Sequence, residues 1–160
     1  MAVRFPISRI LRCLCGALLL AGVLLGGVHA DWDFSLISGR ARALYGPLGE
    51  GQQRIDDWQH LLATQKQVSE LDKLNAVNRF FNKQVRYVED IDLWHQVDYW
   101  ETPIEALWKG AGDCEDYAIA KYFSLRHLGV SSDKLRITYV KALRQNRAHM
   151  VLTYYATPDA

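Results

Sequence analysis

The chain has 160 residues, 49% hydrophobic and 11% aromatic, with 19 Lys and Arg against 18 Asp and Glu. That length and apolar content support one packed domain and exclude a disordered chain. The near-neutral charge excludes a strongly basic nucleic-acid binder, and three cysteines are too few for a disulfide scaffold.

The first thirty residues stand apart. Arg4, Arg9 and Arg12 occur there without an acidic residue, and Cys13 to Gly27 read CLCGALLLAGVLLGG. This run fits a signal-peptide core and is short for a membrane span. Val28-His29-Ala30 then resembles a cleavage site. Residues 1–30 are therefore predicted to be a cleaved signal peptide, against an uncleaved anchor as the competing reading. Residues 31–160 form the exported domain, with no stable membrane insertion. Cleavage leaves Cys114 as the single thiol, and it has no internal disulfide partner.

In the exported part a short helix is predicted near 35–45, followed by a loop rich in Gly46, Pro47, Gly49 and Gly51. Ile55, Trp58, Leu61 and Leu62 give a helix over 52–66. Leu71, Leu74, Val77, Phe80 and Phe81 give another over 69–84, with Ser69 as N-cap. Residues 85–88 read as extended, and EDIDLWHQVDYW as a surface loop near a cleft. Thr102-Pro103 starts a short helix to Lys109, which Gly110 and Gly112 end. Asp113 opens a helix to about Leu128, stopped by Gly129, with Ala118, Ile119, Tyr122, Phe123 and Leu125 as its apolar surface. Residues 136–140 and 149–155 are strands joined by a polar turn, antiparallel to each other. Helices followed by a sheet make the class α+β.

The chemistry concentrates in Gly110-Ala111-Gly112-Asp113-Cys114-Glu115-Asp116-Tyr117. A cysteine in the first turn of a helix faces backbone N–H groups and the positive end of the dipole, which favour a thiolate. A buried structural thiol is the plain alternative, but three flanking carboxylates argue against it. A nucleophilic cysteine needs a base. His127 lies thirteen residues along the same helix, about 20 Å away, and His60 belongs to an amphipathic helix face. His95, in the loop, stays open. His149 opens a strand after a turn and is preferred.

Asp113, Glu115 and Asp116 would raise the thiol pKa if left unscreened. A bound Ca²⁺ accepts clustered carboxylates and would neutralise them. Helix capping by Asp113, with two solvated acids beyond it, is the other reading. The Cys114 backbone N–H, with Gln96 or Trp94, is a candidate oxyanion donor set.

GDCEDYAIAKYFSLRHLGV, LRITYVKAL and AHMVLTYY, together with WHQVDYWETPIEAL, closely resemble the bacterial transglutaminase-like cysteine peptidases. The resemblance implies a papain-like, transglutaminase-like α+β fold with a Cys-His-Asp triad. It assigns Cys114 as nucleophile, His149 as base, and Asp113, Glu115 and Asp116 to a calcium site. It further implies a periplasmic, calcium-dependent endopeptidase that cuts a large repeat adhesin near its N-terminus and so controls biofilm release. The expected partners are that adhesin and an inner-membrane cyclic di-GMP receptor of the LapD type. The family's triad aspartate lies on the strand after the histidine strand. Asp159 does not sit in that motif, so the aspartate is expected beyond residue 160, in a chain lacking its C-terminal part and poorly active as it stands. A protein-glutamine transglutaminase of the same fold and an inactive truncated binding module are the alternatives.

Overall fold

The computed structural model describes residues 31–144 and 146–157. The export segment and Asp159 lie outside the described residues. From Phe34 onward the elements in chain order are α1 (Phe34–Tyr45), α2 (Glu50–Thr64), α3 (Glu70–Gln84), β1 (Arg86–Tyr87), α4 (Asp90–Leu93), α5 (Pro103–Lys109), β2 (Ala111–Gly112), α6 (Cys114–His127), β3 (Leu135–Ala142) and β4 (Arg147–Tyr154). This is the expected α+β arrangement of helices followed by an antiparallel hairpin.

The helix starts follow from local chemistry. Ser69 caps α3, its hydroxyl accepting from the Asp72 N–H at 3.2 Å. Thr102 caps α5 in the same way. Glu105 reaches back to the Thr102 N–H at 2.8 Å, and Pro103 occupies the first helical position. Two N–H groups without intrahelical partners are thereby satisfied.

The core joins Ile55, Trp58 and Leu62 of α2 to Val77 and Phe81 of α3, Leu107 of α5, and Ala118 and Leu125 of α6. The Trp58 ring meets Phe34 and Phe81 edge to face, with centroids at 5.4 and 6.4 Å. Its indole N–H donates to the Ser124 hydroxyl of α6 at 2.9 Å. The α6 helix is central, touching α3, α5, β3 and β4. The hairpin pairs Leu135 with Tyr154 through to Ala142 with Arg147, which sets His149 opposite Val140.

Three sequence expectations need correction. Leu71 is 66% exposed, because it lies about 120° round α3 from Val77 at helical spacing. Phe123 is also exposed, about 160° round α6 from Leu125. The acidic-aromatic stretch is not wholly a surface loop. It contains α4 and turns Asp90 inward to 2% exposure, although Val97 and Trp100 remain exposed. The extended residues 86–87 pair in parallel with 111–112, so that Tyr87 lies opposite Gly112 and the approach to α6 is fixed. Among the described residues, no helix is long and apolar enough to cross a membrane.

Helices α2 and α5 approach so closely that a Cβ on Gly51 would lie 2.8 Å from the Trp108 Cα and 2.9 Å from its carbonyl oxygen. Replacing an exposed helical glycine by alanine ordinarily stabilises by about 1 kcal/mol. Here Gly51→Ala is expected to destabilise by roughly 1–3 kcal/mol, because backbone must move. Urea unfolding checks this, and a stabilised variant would contradict the close packing.

Candidate active site

Cys114 is the first residue of α6, with Asp113 at the N-cap position. Its backbone N–H is among those that a helix start leaves without an intrahelical acceptor. The half-buried thiol donates to Glu115 Oε2 at 3.0 Å. The Met150 N–H of β4 donates to the sulfur at 3.3 Å. The nucleophile candidate therefore touches the strand backbone one residue from His149. Cys114 and His149 line one cavity of about 680 Å³, together with Tyr87, Tyr117 and Lys121.

The other histidines stand elsewhere. His60 is exposed on α2, and His127 ends α6. His95 is exposed, with φ 59°, and its Nδ1 lies 3.3 Å from the Ile91 carbonyl oxygen. Among the described residues His149 is the one imidazole in the cavity with Cys114. No carboxylate among the described residues is hydrogen-bonded to it.

Beneath the helix start lies a cluster of buried acids. Asp90, Glu101, Asp113 and Asp116 are all buried, and Glu115 sits at their margin. Asp116 joins two chain segments. Its Oδ1 accepts from the Glu101 N–H at 2.8 Å and its Oδ2 from the Asp113 N–H at 2.9 Å. Gly112 is required beside it, since a Cβ there would lie 2.8 Å from Asp116 Oδ2 and 3.1 Å from Glu101 Oε2. Asp90 Oδ2 accepts from the Tyr99 N–H, and Glu101 Oε1 from the Trp94 indole at 2.6 Å. Asp90 Oδ1, Glu101 Oε2 and Asp113 Oδ1 are buried without a hydrogen-bond donor.

This crowding shifts the titrations. Burial, then the Asp116 charge, pushes Glu101 up to about 8. Burial pushes Asp116 up to about 6 and also raises Asp90. Asp113 is raised by burial and by Glu115 beside it. Burial pushes Glu115 up, but hydrogen bonds from Cys114 and Asp113 bring it below its ordinary value. The thiol is pushed up to about 12 by burial and by its bond to Glu115, against the lowering effect of the Met150 N–H. Burial and Glu115 thus work against the thiolate that a helix start favours.

Orphaned carboxylate oxygens converging in a buried space fit a hard cation that takes oxygen ligands. One oxygen each from Asp90, Asp113 and Asp116 lies within 4.8 Å of the others, and the same holds for Asp90, Asp98 and Glu115. The structure thus puts Asp113 and Asp116 in one of these groups and Glu115 in the other, with Asp90 in both and Asp98 beside Glu115. Asp116 commits a lone pair of each oxygen to backbone N–H groups, so it also anchors the cluster. Sequence reasoning missed Asp90, Asp98 and Glu101. Their only signal was the acidic run after Val88. Trp94 is not a free oxyanion donor, because its indole N–H is held by Glu101. Gln96 is exposed.

The family model described as bacterial transglutaminase-like cysteine proteinase BTLCP matches residues 50–158. Among solved structures, Legionella pneumophila LapG is similar at 39% identity and TM-score 0.68, over 81% of this chain and 70% of that one. Its EGTA-treated form is similar at 39% identity and TM-score 0.68, over 81% and 68% of the two chains. Its calcium-bound form is similar at 41% identity and TM-score 0.66, over 79% and 68%. No curated protein matches the chain.

The raised carboxyl pKa values give a stability prediction. Glu101 and Asp116 bind protons more tightly folded than unfolded, where a carboxyl titrates near 4. Between about pH 4 and 8 the native state therefore holds the extra protons, and stability falls as pH rises. Thermal unfolding in EGTA is expected to show the midpoint dropping through this window, and excess calcium should flatten the dependence. A midpoint that rises with pH in EGTA would contradict the uncompensated cluster.

Proposed function

Given that the chain belongs to the bacterial transglutaminase-like cysteine proteinases, we propose that it acts as a calcium-dependent periplasmic cysteine endopeptidase. Its substrate is a large surface adhesin, cut near the N-terminus, and the cut controls biofilm release. An inner-membrane cyclic di-GMP receptor holds the enzyme until the signal falls. The basic start and apolar run of residues 1–30 support export, with Asp31 as the new N-terminus. The observation that carries the catalytic part is the Met150 N–H contact to the Cys114 sulfur, with His149 next in the chain and in the same cavity.

In this reading His149 takes the thiol proton and the Cys114 sulfur attacks the scissile carbonyl. The Cys114 backbone N–H faces the developing oxyanion. His149 returns the proton to the leaving amine, the C–N bond breaks, and an acyl-thioester remains. Water, activated by the same imidazole, then releases the acid and restores the thiol. Asp113, Glu115 and Asp116, with Asp90 and Asp98, would hold the calcium. When bound, it would supply positive charge against those acids and so favour ionisation of the Cys114 thiol that Glu115 accepts from.

Cys114→Ala should abolish adhesin cleavage, by about 10⁴-fold or more, while leaving the circular dichroism spectrum intact. Unchanged cleavage would refute the nucleophile. EGTA should suppress both cleavage and iodoacetamide labelling of Cys114 at neutral pH, and added calcium should restore both. Labelling equally fast in EGTA would refute the calcium dependence. Incorporation of a primary amine in preference to hydrolysis would instead identify a transglutaminase.

A further inference from the structure

Outside the acids and the thiol, a second constellation is built around Tyr87, which lines the same cavity. Arg147 opens β4, two residues before His149. Its Nη1 donates to Glu89 Oε1, and its Nη2 donates to the Tyr87 hydroxyl at 2.9 Å. The Tyr87 hydroxyl donates to the same Glu89 oxygen at 3.0 Å, which closes a triangle of three polar groups. The guanidinium also lies over the Tyr87 ring, 5.7 Å from its centroid.

Each corner belongs to a different part of the site. Glu89 is the N-cap residue of α4 and the neighbour of Asp90, whose buried Oδ1 has no donor. Tyr87 pairs with Gly112, directly before Asp113 and Cys114. Arg147 shares a strand face with His149, because side chains alternate along a strand. An exposed ion pair contributes little to global stability, and Arg147 and Glu89 are both about half exposed. Its geometric effect is larger, because the guanidinium fork fixes orientation through two bonds at once.

We infer that Arg147 is a positioning residue, coupling cation occupancy of the acid cluster to the placement of the His149 strand through Glu89 and Tyr87. The inference rests on the calcium reading above. A cation drawn to Asp90 and Asp98 orders the segment that starts at Glu89. Ordered Glu89 and Tyr87 hold the guanidinium, and β4 is held with it against the Cys114 sulfur. Coupling of this kind is reciprocal. A variant that cuts the link must therefore weaken calcium binding as well as loosen β4.

Calcium titration by calorimetry and amide hydrogen exchange of residues 147–154 test this on the full chain. In the parent, calcium should slow exchange in β4. Arg147→Gln should raise the calcium Kd about five-fold and remove the calcium effect on β4 exchange. Glu89→Gln should do the same, and the double variant should be no worse than either single one. Arg147→Lys, which keeps the charge and loses the fork, should also uncouple β4. Thermal unfolding of each variant in EGTA checks that the fold survives. Parent-like calcium affinity and parent-like β4 protection by calcium in Arg147→Gln would overturn the inference alone. A parent that takes up no calcium would overturn the calcium reading together with it. Additive losses in the double variant would show that the two residues act separately and would also overturn it.

Discussion

Burial of several carboxylates close to one another is the constraint around which this site is organised. Asp116 shows how the chain tolerates it. Both of its oxygens are given to backbone N–H groups, one on the segment before α5 and one at the start of α6. Charge that would otherwise repel the two segments is used to join them. Nearby oxygens on Asp90, Glu101 and Asp113 have no such outlet. Their pull for protons, or for a cation, is stored where the reactive thiol begins its helix.

The same constraint explains the state of Cys114. A helix start favours a thiolate by a modest amount, whereas burial and Glu115 push the opposite way and prevail. The position of the cysteine and its reactivity are thus separate properties. Backbone geometry gives the position: the β1–β2 pair fixes the approach, and the Met150 N–H meets the sulfur. The upward shift of the thiol comes from burial and from the acids beside it.

Much of this was legible from sequence because it is local. Ser69, Thr102-Pro103 and the glycine-flanked Asp113-Cys114 each specify a helix start through their own side chains and backbone. The 136–140 and 149–155 runs are rich in β-branched and aromatic residues, and 136–140 pair with 149–153 antiparallel as expected. What escaped was decided by tertiary contact. Nothing in EDIDLWHQVDYW distinguishes Asp90, which is turned inward onto the Tyr99 N–H, from Asp92, which is exposed. Glu101 precedes Thr102 like any acid near a helix start, yet it is buried beside Asp116. Leu71 and Phe123 fit apolar patterns whose partners run out before reaching them. The short parallel pair at 86–87 and 111–112 is too brief to leave a periodic signal.

The sulfur and the imidazole come from structures of different character. Cys114 starts a helix embedded among other helices, while His149 rides on the β3–β4 hairpin, which reaches that helix through β4. Ribosomal synthesis delivers the helix well before the hairpin. A chain that has not yet reached β4 therefore carries its sulfur without the imidazole, and the two meet only when that strand docks on α6.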